Sequence, residues 1–81
     1  MKCVEHKELV TLFDAGALKS AEIHYWAVGN HGYRVEFVGT NKERYGYKAQ
    51  RQTNHLREFK SIDAAMSAIG KIGFKTATIH I

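Results

Sequence analysis

The stretch AEIHYWAVGNHGYRVEFV, residues Ala21 to Val38, carries the pattern on which the fold turns. Side chains alternate sides along a β-strand, so a period of two marks a half-buried one. Ile23, Tyr25 and Ala27 would share one face, and Glu22, His24, Trp26 and Val28 the other. After Gly29-Asn30-His31-Gly32, the alternation resumes with Tyr33, Val35 and Phe37 against Arg34 and Glu36. Asn and Gly accept the positive φ that tight hairpin turns demand, so the four-residue break predicts an antiparallel hairpin.

Further along the chain, Gly39 to Glu43 reads as a second turn, and RYGYKAQR (44–51) as a third strand. Its Tyr45, Tyr47 and Ala49 oppose Arg44, Gly46, Lys48 and Gln50. Gln52-Thr53-Asn54 predicts a third turn, and HLREFK (55–60) a short fourth strand. Upstream, residues 4–15 place Leu9, Leu12 and Phe13 at helical spacing, and Gly16 suits the left-handed position after a helix. Its first turn has no clear cap. Downstream, Ser61 is a good N-cap and Asp63 complements the helix dipole. Ile62, Ala65, Met66 and Ile69 then form an apolar stripe on a helix ending near Gly70 or Gly73. Small residues Ala64, Ala65, Ser67 and Ala68 would let this helix approach a sheet closely, and FKTATIHI (74–81) predicts a last strand. The expected architecture is α+β: helix, antiparallel three- to four-stranded meander, helix, C-terminal strand, with both helices packed on one sheet.

Eighty-one residues make one domain, 1–81. A chain of this length buries only about 60–65% of the surface its unfolded form exposes, which leaves a small core. The longest apolar run is four residues, which excludes a membrane-spanning helix, and MKCVEHKELV is too polar for a secretory signal. A cytoplasmic protein is expected. A single cysteine, Cys3, excludes an internal disulfide and any zinc module built on paired cysteines.

The residue types of common active sites are present without their spacing. Among His6, His24, His31, His55 and His80 no pair has the H-x-x-x-H spacing of a helical metal site, so no metal is expected. Cys3 has no predicted base beside it, and Ser20, Ser61 and Ser67 lie outside any G-x-S-x-G turn. The glycines form neither a P-loop nor a dinucleotide-binding fingerprint, so no cofactor is expected either. The chain reads as a non-enzymatic binding module.

Charge placement suggests what it binds. From Lys42 to Lys60 there are six cations, Lys42, Arg44, Lys48, Arg51, Arg57 and Lys60, against Glu43 and Glu58. The segment therefore carries the whole net charge of +4, the remaining residues being balanced. Such a charged side attracts polyanions or an acidic protein by long-range field. Arg44 and Lys48 would share a strand face, with Arg57 and Lys60 returning beside them. Trp26 and Tyr47 lie in the same predicted sheet, where aromatics among cations form the stacking platforms of single-strand binders or a partner contact. The expectation is nucleic-acid binding, most readily DNA. The alternative is a protein–protein adaptor or inhibitor docking through a sheet edge or to an acidic partner. A third reading takes the basic segment as a solvated strand face whose cations discourage edge-to-edge aggregation.

The stretches LFDAGALKSAEI (12–23) and REFKSIDAAMSAIGKIGF (57–74) resemble small ParC-type, partition-associated proteins of bacterial plasmids and mobile elements. In these, a DAGAL turn, a twisted meander and an FKSLDAA…IGF helix recur in this order. The matching motifs are structural: a helix exit at Asp14 to Leu18, and a strand end, cap and helix start at Phe59 to Ala65. The resemblance implies an accessory protein of plasmid maintenance acting through DNA or a partition protein. It assigns no role to the basic residues in between.

The last strand has apolar residues at both parities, Phe74 on one and Ala77, Ile79 and Ile81 on the other, so it needs cover on more than one side. Pairing with a second copy would provide it, and a homodimer is expected. Central insertion of this strand in a monomeric sheet is the competing arrangement.

Overall fold

A computed structural model describes residues 2–26, 32–47 and 57–80, with only the backbone of Trp26. The elements in chain order are β1 (Lys2–Val4), α1 (His6–Asp14), β2 (Leu18–Trp26), β3 (Gly32–Gly39), β4 (Arg44–Tyr47), β5 (Glu58–Phe59), α2 (Ile62–Ile72) and β6 (Thr78–His80). The class is α+β, as the periodicities predict.

The centre of the sheet is the hairpin of β2 and β3, in register from Ala21 opposite Phe37 to Trp26 opposite Gly32. A register shift between Leu18 and Ser20 resets the alternation, so Leu18, Ala21 and Ile23 all reach the interior. On its other side β3 pairs antiparallel with β4 through Glu36 to Val38 and with β5 through Tyr33 and Arg34. The strand order is β1-β4-β3-β2-β6, with β5 beside β3.

The sheet is mixed, which corrects the expectation of a purely antiparallel meander. Lys2–Val4 pairs in parallel with β4, and β6 in parallel with β2. The first helix accordingly starts at His6, because Val4 is a buried strand residue opposite Tyr47. Three residues are too few to show a period, so this strand has no signature in the sequence. The last strand is shorter than residues 74–81 suggest. Phe74 leaves the strand path and packs against the rings of Phe13 and Phe37, 4.9 and 5.7 Å away between centroids. Strand β6 lies at the sheet edge, which excludes the central insertion considered above. Of the fourth strand expected over residues 55–60, Glu58–Phe59 is a strand, and residues 55 and 56 lie outside the described residues. The turns expected at residues 29–31 and 52–54, and the strand residues 48–51, lie outside the described residues.

Both helices cover one face of this sheet. Leu9 of α1 and Ala65, Ala68, Ile69 and Ile72 of α2 meet Ile23, Val35, Phe37, Tyr45, Tyr47 and Phe59 in a single apolar cluster. Burying the Leu, Ile, Val and Phe side chains among them is worth about 1.5–3 kcal/mol each, the main term available to a domain this small. The caps obey the sequence. The Ser61 hydroxyl accepts a hydrogen bond from the Ala64 amide at 3.1 Å. Gly16, at φ 73°, closes α1 with its own amide donating to the Phe13 carbonyl and the Ala17 amide to that of Leu12. The opposite face of the sheet carries Glu22, His24, Arg34, Glu36, Arg44 and Glu58, and no helix covers it among the described residues.

Candidate nucleic-acid interface

Of the six cations expected on one surface, Lys48 and Arg51 lie outside the described residues, and the other four separate. Lys42 sits in the turn between β3 and β4, at φ 69°. Arg44 is on the outer face of β4, and Arg57 and Lys60 flank β5. The sheet surface that Arg44 shares is not cationic. Its guanidinium donates to Glu36 Oε1 at 3.1 Å and to Glu22 Oε1, while His24 Nε2 lies 2.9 Å from Glu22 and 3.3 Å from Glu36. Arg34 pairs with Glu58 at 3.1 Å on the same face.

These pairs shift the groups they join. Burial pushes the Glu22 carboxyl up, but hydrogen bonds and charge from His24 and Arg44 together outweigh it and hold it below its ordinary value. The hydrogen bonds from Arg44 to Glu36 and then Glu22 raise the guanidinium above its own. A cation already matched to two carboxylates has little left to offer a phosphate.

The cations that do gather lie on the helix side of the sheet. A cleft of about 640 Å³ opens between the start of α1, the end of β4, β5 and the exposed flank of α2. Its described lining brings together Lys7, Arg57 and Lys71 with His6 and Ser67, and Glu5 is the one carboxylate among them. Tyr47 and Phe59 form the floor, and both are buried. The Arg57 guanidinium lies over this floor, 4.8 Å from the Phe59 centroid and 5.6 Å from that of Tyr47. Its position over the rings holds the cation in place, and the N–H donors that do not engage Tyr47 remain for a further partner. The Tyr47 hydroxyl is 2.6 Å from His6 Nδ1. Burial pushes this phenol up, against the opposing charge and hydrogen bond of Arg57, so it stays a neutral hydroxyl.

One backbone feature adds to the positive potential, and one side-chain pattern shapes the cleft. The N-terminus of α1 faces the cleft, and its N-cap residue Glu5 makes no side-chain capping hydrogen bond. Helix N-termini carry about half a positive charge, which favours anions. Along α2, Ala64, Ser67, Ala68 and Lys71 recur at i, i+3, i+4 and i+7, so three small side chains keep the cleft open above which Lys71 stands.

Lys7 and Lys71 are the residues that sequence reasoning misses, since each stands alone among acidic or small neighbours. The signal was the spacing of Ala64, Ser67, Ala68 and Lys71, a second stripe on α2 that the apolar stripe overshadows. Tyr47, expected as a stacking platform, lies beneath Arg57 with its ring covered, and the side chain of Trp26 lies outside the description. Comparison of the chain with protein-family models, with curated proteins and with solved structures finds no match. No helix among the described residues is long and apolar enough to cross a membrane.

Proposed function

We propose that this protein is a non-enzymatic nucleic-acid-binding module whose phosphate contacts are Lys7, Arg57 and Lys71 around the cleft, with the exposed Lys60, next in sequence to the floor residue Phe59, as a fourth. The observation that carries this reading is the meeting of three cations, from α1, α2 and the approach to β5, around one groove, against a single carboxylate among its described lining. Cations placed this way hold the backbone of a polyanion and do not read bases. With the rings of Tyr47 and Phe59 covered, binding rests on charge more than on base stacking. DNA is the polyanion in keeping with the ParC-type resemblance of residues 12–23 and 57–74, and a role in maintaining a plasmid or mobile element follows from it.

The alternative is an adaptor that docks an acidic protein in the same cleft. Salt separates the two, because release of condensed counterions makes DNA affinity fall as a steep power of salt concentration. A second test is the double variant Lys7→Glu with Lys71→Glu. Both residues are exposed, so the fold should survive while DNA binding is lost. DNA binding unchanged in a folded double variant would remove the cleft from the account.

We further propose that the functional unit is a homodimer joined along β6. This edge strand is exposed throughout, and Ile79 is 43% exposed. A second copy paired there would place two clefts on one particle and raise the number of phosphates within reach.

A further inference from the structure

The uncovered face of the sheet holds a second constellation, formed where the two strands that pair in parallel bring distant residues together. Glu22 and His24 lie two apart on β2 and so share this face. Strand β6 runs alongside, with His80 directly opposite His24. The two imidazole rings stack 4.6 Å apart and 5° from parallel. Both direct Nε2 towards the same carboxylate oxygen, Glu22 Oε1, at 2.9 Å for His24 and 3.9 Å for His80. The three donor atoms all lie within 4.8 Å of one another.

We propose that Glu22, His24 and His80 form a binding site for a divalent transition-metal ion, with Zn²⁺ the ion their chemistry fits best. Two imidazoles and one carboxylate are the donor set of open zinc sites, in which a fourth position stays free for water or a ligand. Tetrahedral bonds of about 2.0–2.1 Å require donors roughly 3.4 Å apart, a spacing the trio brackets. His80 is half exposed, so its ring can close the remaining distance by side-chain rotation alone. The carboxylate of Glu22 can only accept, so His24 Nε2 donates to it when no ion is bound, and the ion takes that hydrogen's place as the imidazole switches to its Nδ1–H tautomer. Glu36 Oε2, 3.3 Å from His24 Nε2, adds negative charge next to the site. Arg44 engages both carboxylates from the β4 side and balances that charge while the ion is away. Mg²⁺ and Ca²⁺, which demand six or more oxygen donors, do not suit this set.

The absence of H-x-x-x-H spacing has no bearing here, since that pattern belongs to helices and this site spans two strands. The ion would tie β6, a three-residue edge strand, to the centre of the sheet. Calorimetric titration of the whole protein with Zn²⁺ alone, near neutral pH, tests this together with a thermal melt. One ion per chain is expected, with a raised Tm, while Mg²⁺ produces neither. His80→Ala, an exposed substitution that leaves the core untouched, should weaken Zn²⁺ binding at least tenfold and abolish the rise in Tm. No saturable binding would overturn the proposal. Binding that persists unchanged in folded His80→Ala would do the same, because the ion would then sit at other histidines. The DNA-binding reading does not depend on either result.

Discussion

Arg44 shows how one side chain changes meaning between the sequence and the folded chain. In the sequence it belongs to a basic run; in the sheet it faces Glu22 and Glu36, which alternation places on the same side of neighbouring strands. The pairing leads to a pH prediction. Glu22 titrates below its ordinary value in the folded state, so its ionised form stabilises the fold. That contribution is complete above the unfolded-state value and is lost as pH falls through the lower, folded one. Wild type should therefore be more stable than Glu22→Gln at pH about 5.5, and the gap should close towards pH about 3. His24 and His80 on their strands, Glu36 on β3 and Arg44 on β4 are the charged or titratable neighbours that shape the curve. Thermal melts of both proteins in chelator across this window measure it, and a gap that stays constant would contradict the assigned pairing.

Two glycines of one helical segment should respond in opposite directions to the same substitution. Gly73 follows α2 at φ 136°, a conformation L-residues rarely adopt, and an added Cβ would collide with the Phe13 ring. Gly73→Ala should cost about 1–3 kcal/mol. Gly70 lies within α2, is exposed, and an added Cβ would meet nothing, so Gly70→Ala should stabilise by about 0.5–1 kcal/mol. Denaturant unfolding of the two variants checks both signs, and equal effects would mean that α2 ends elsewhere. The elements with a period, α1, β2, β3 and α2, were readable in the sequence because each is long enough to show one. Strands β1, β5 and β6 have two or three residues each, and their partners are set by tertiary pairing alone. The cleft was hidden for the same reason. Its cations come from α1, α2 and the approach to β5, and only packing the helices on the sheet brings them together.

For the whole molecule, the two uncovered surfaces do different work. The cleft on the helix side gathers positive charge, and the open sheet face neutralises its charges internally and offers a metal site. The edge at β6 borders the open face, away from the cleft, and is where a second copy would pair. Sedimentation equilibrium at tens of micromolar should give twice the mass of one chain; a single-chain mass that does not change with concentration would refute the dimer. The claim on which the functional account rests is that this cleft binds DNA through phosphates. Fluorescence titration with random-sequence duplex DNA across salt concentrations tests it most directly. Four cations per chain predict a log–log slope of about −3 to −4, or on the order of a hundredfold loss of affinity between about 50 and 200 mM salt, and Lys7→Glu with Lys71→Glu should abolish binding. A slope near zero, or a double variant that binds as the wild type does, would contradict the account.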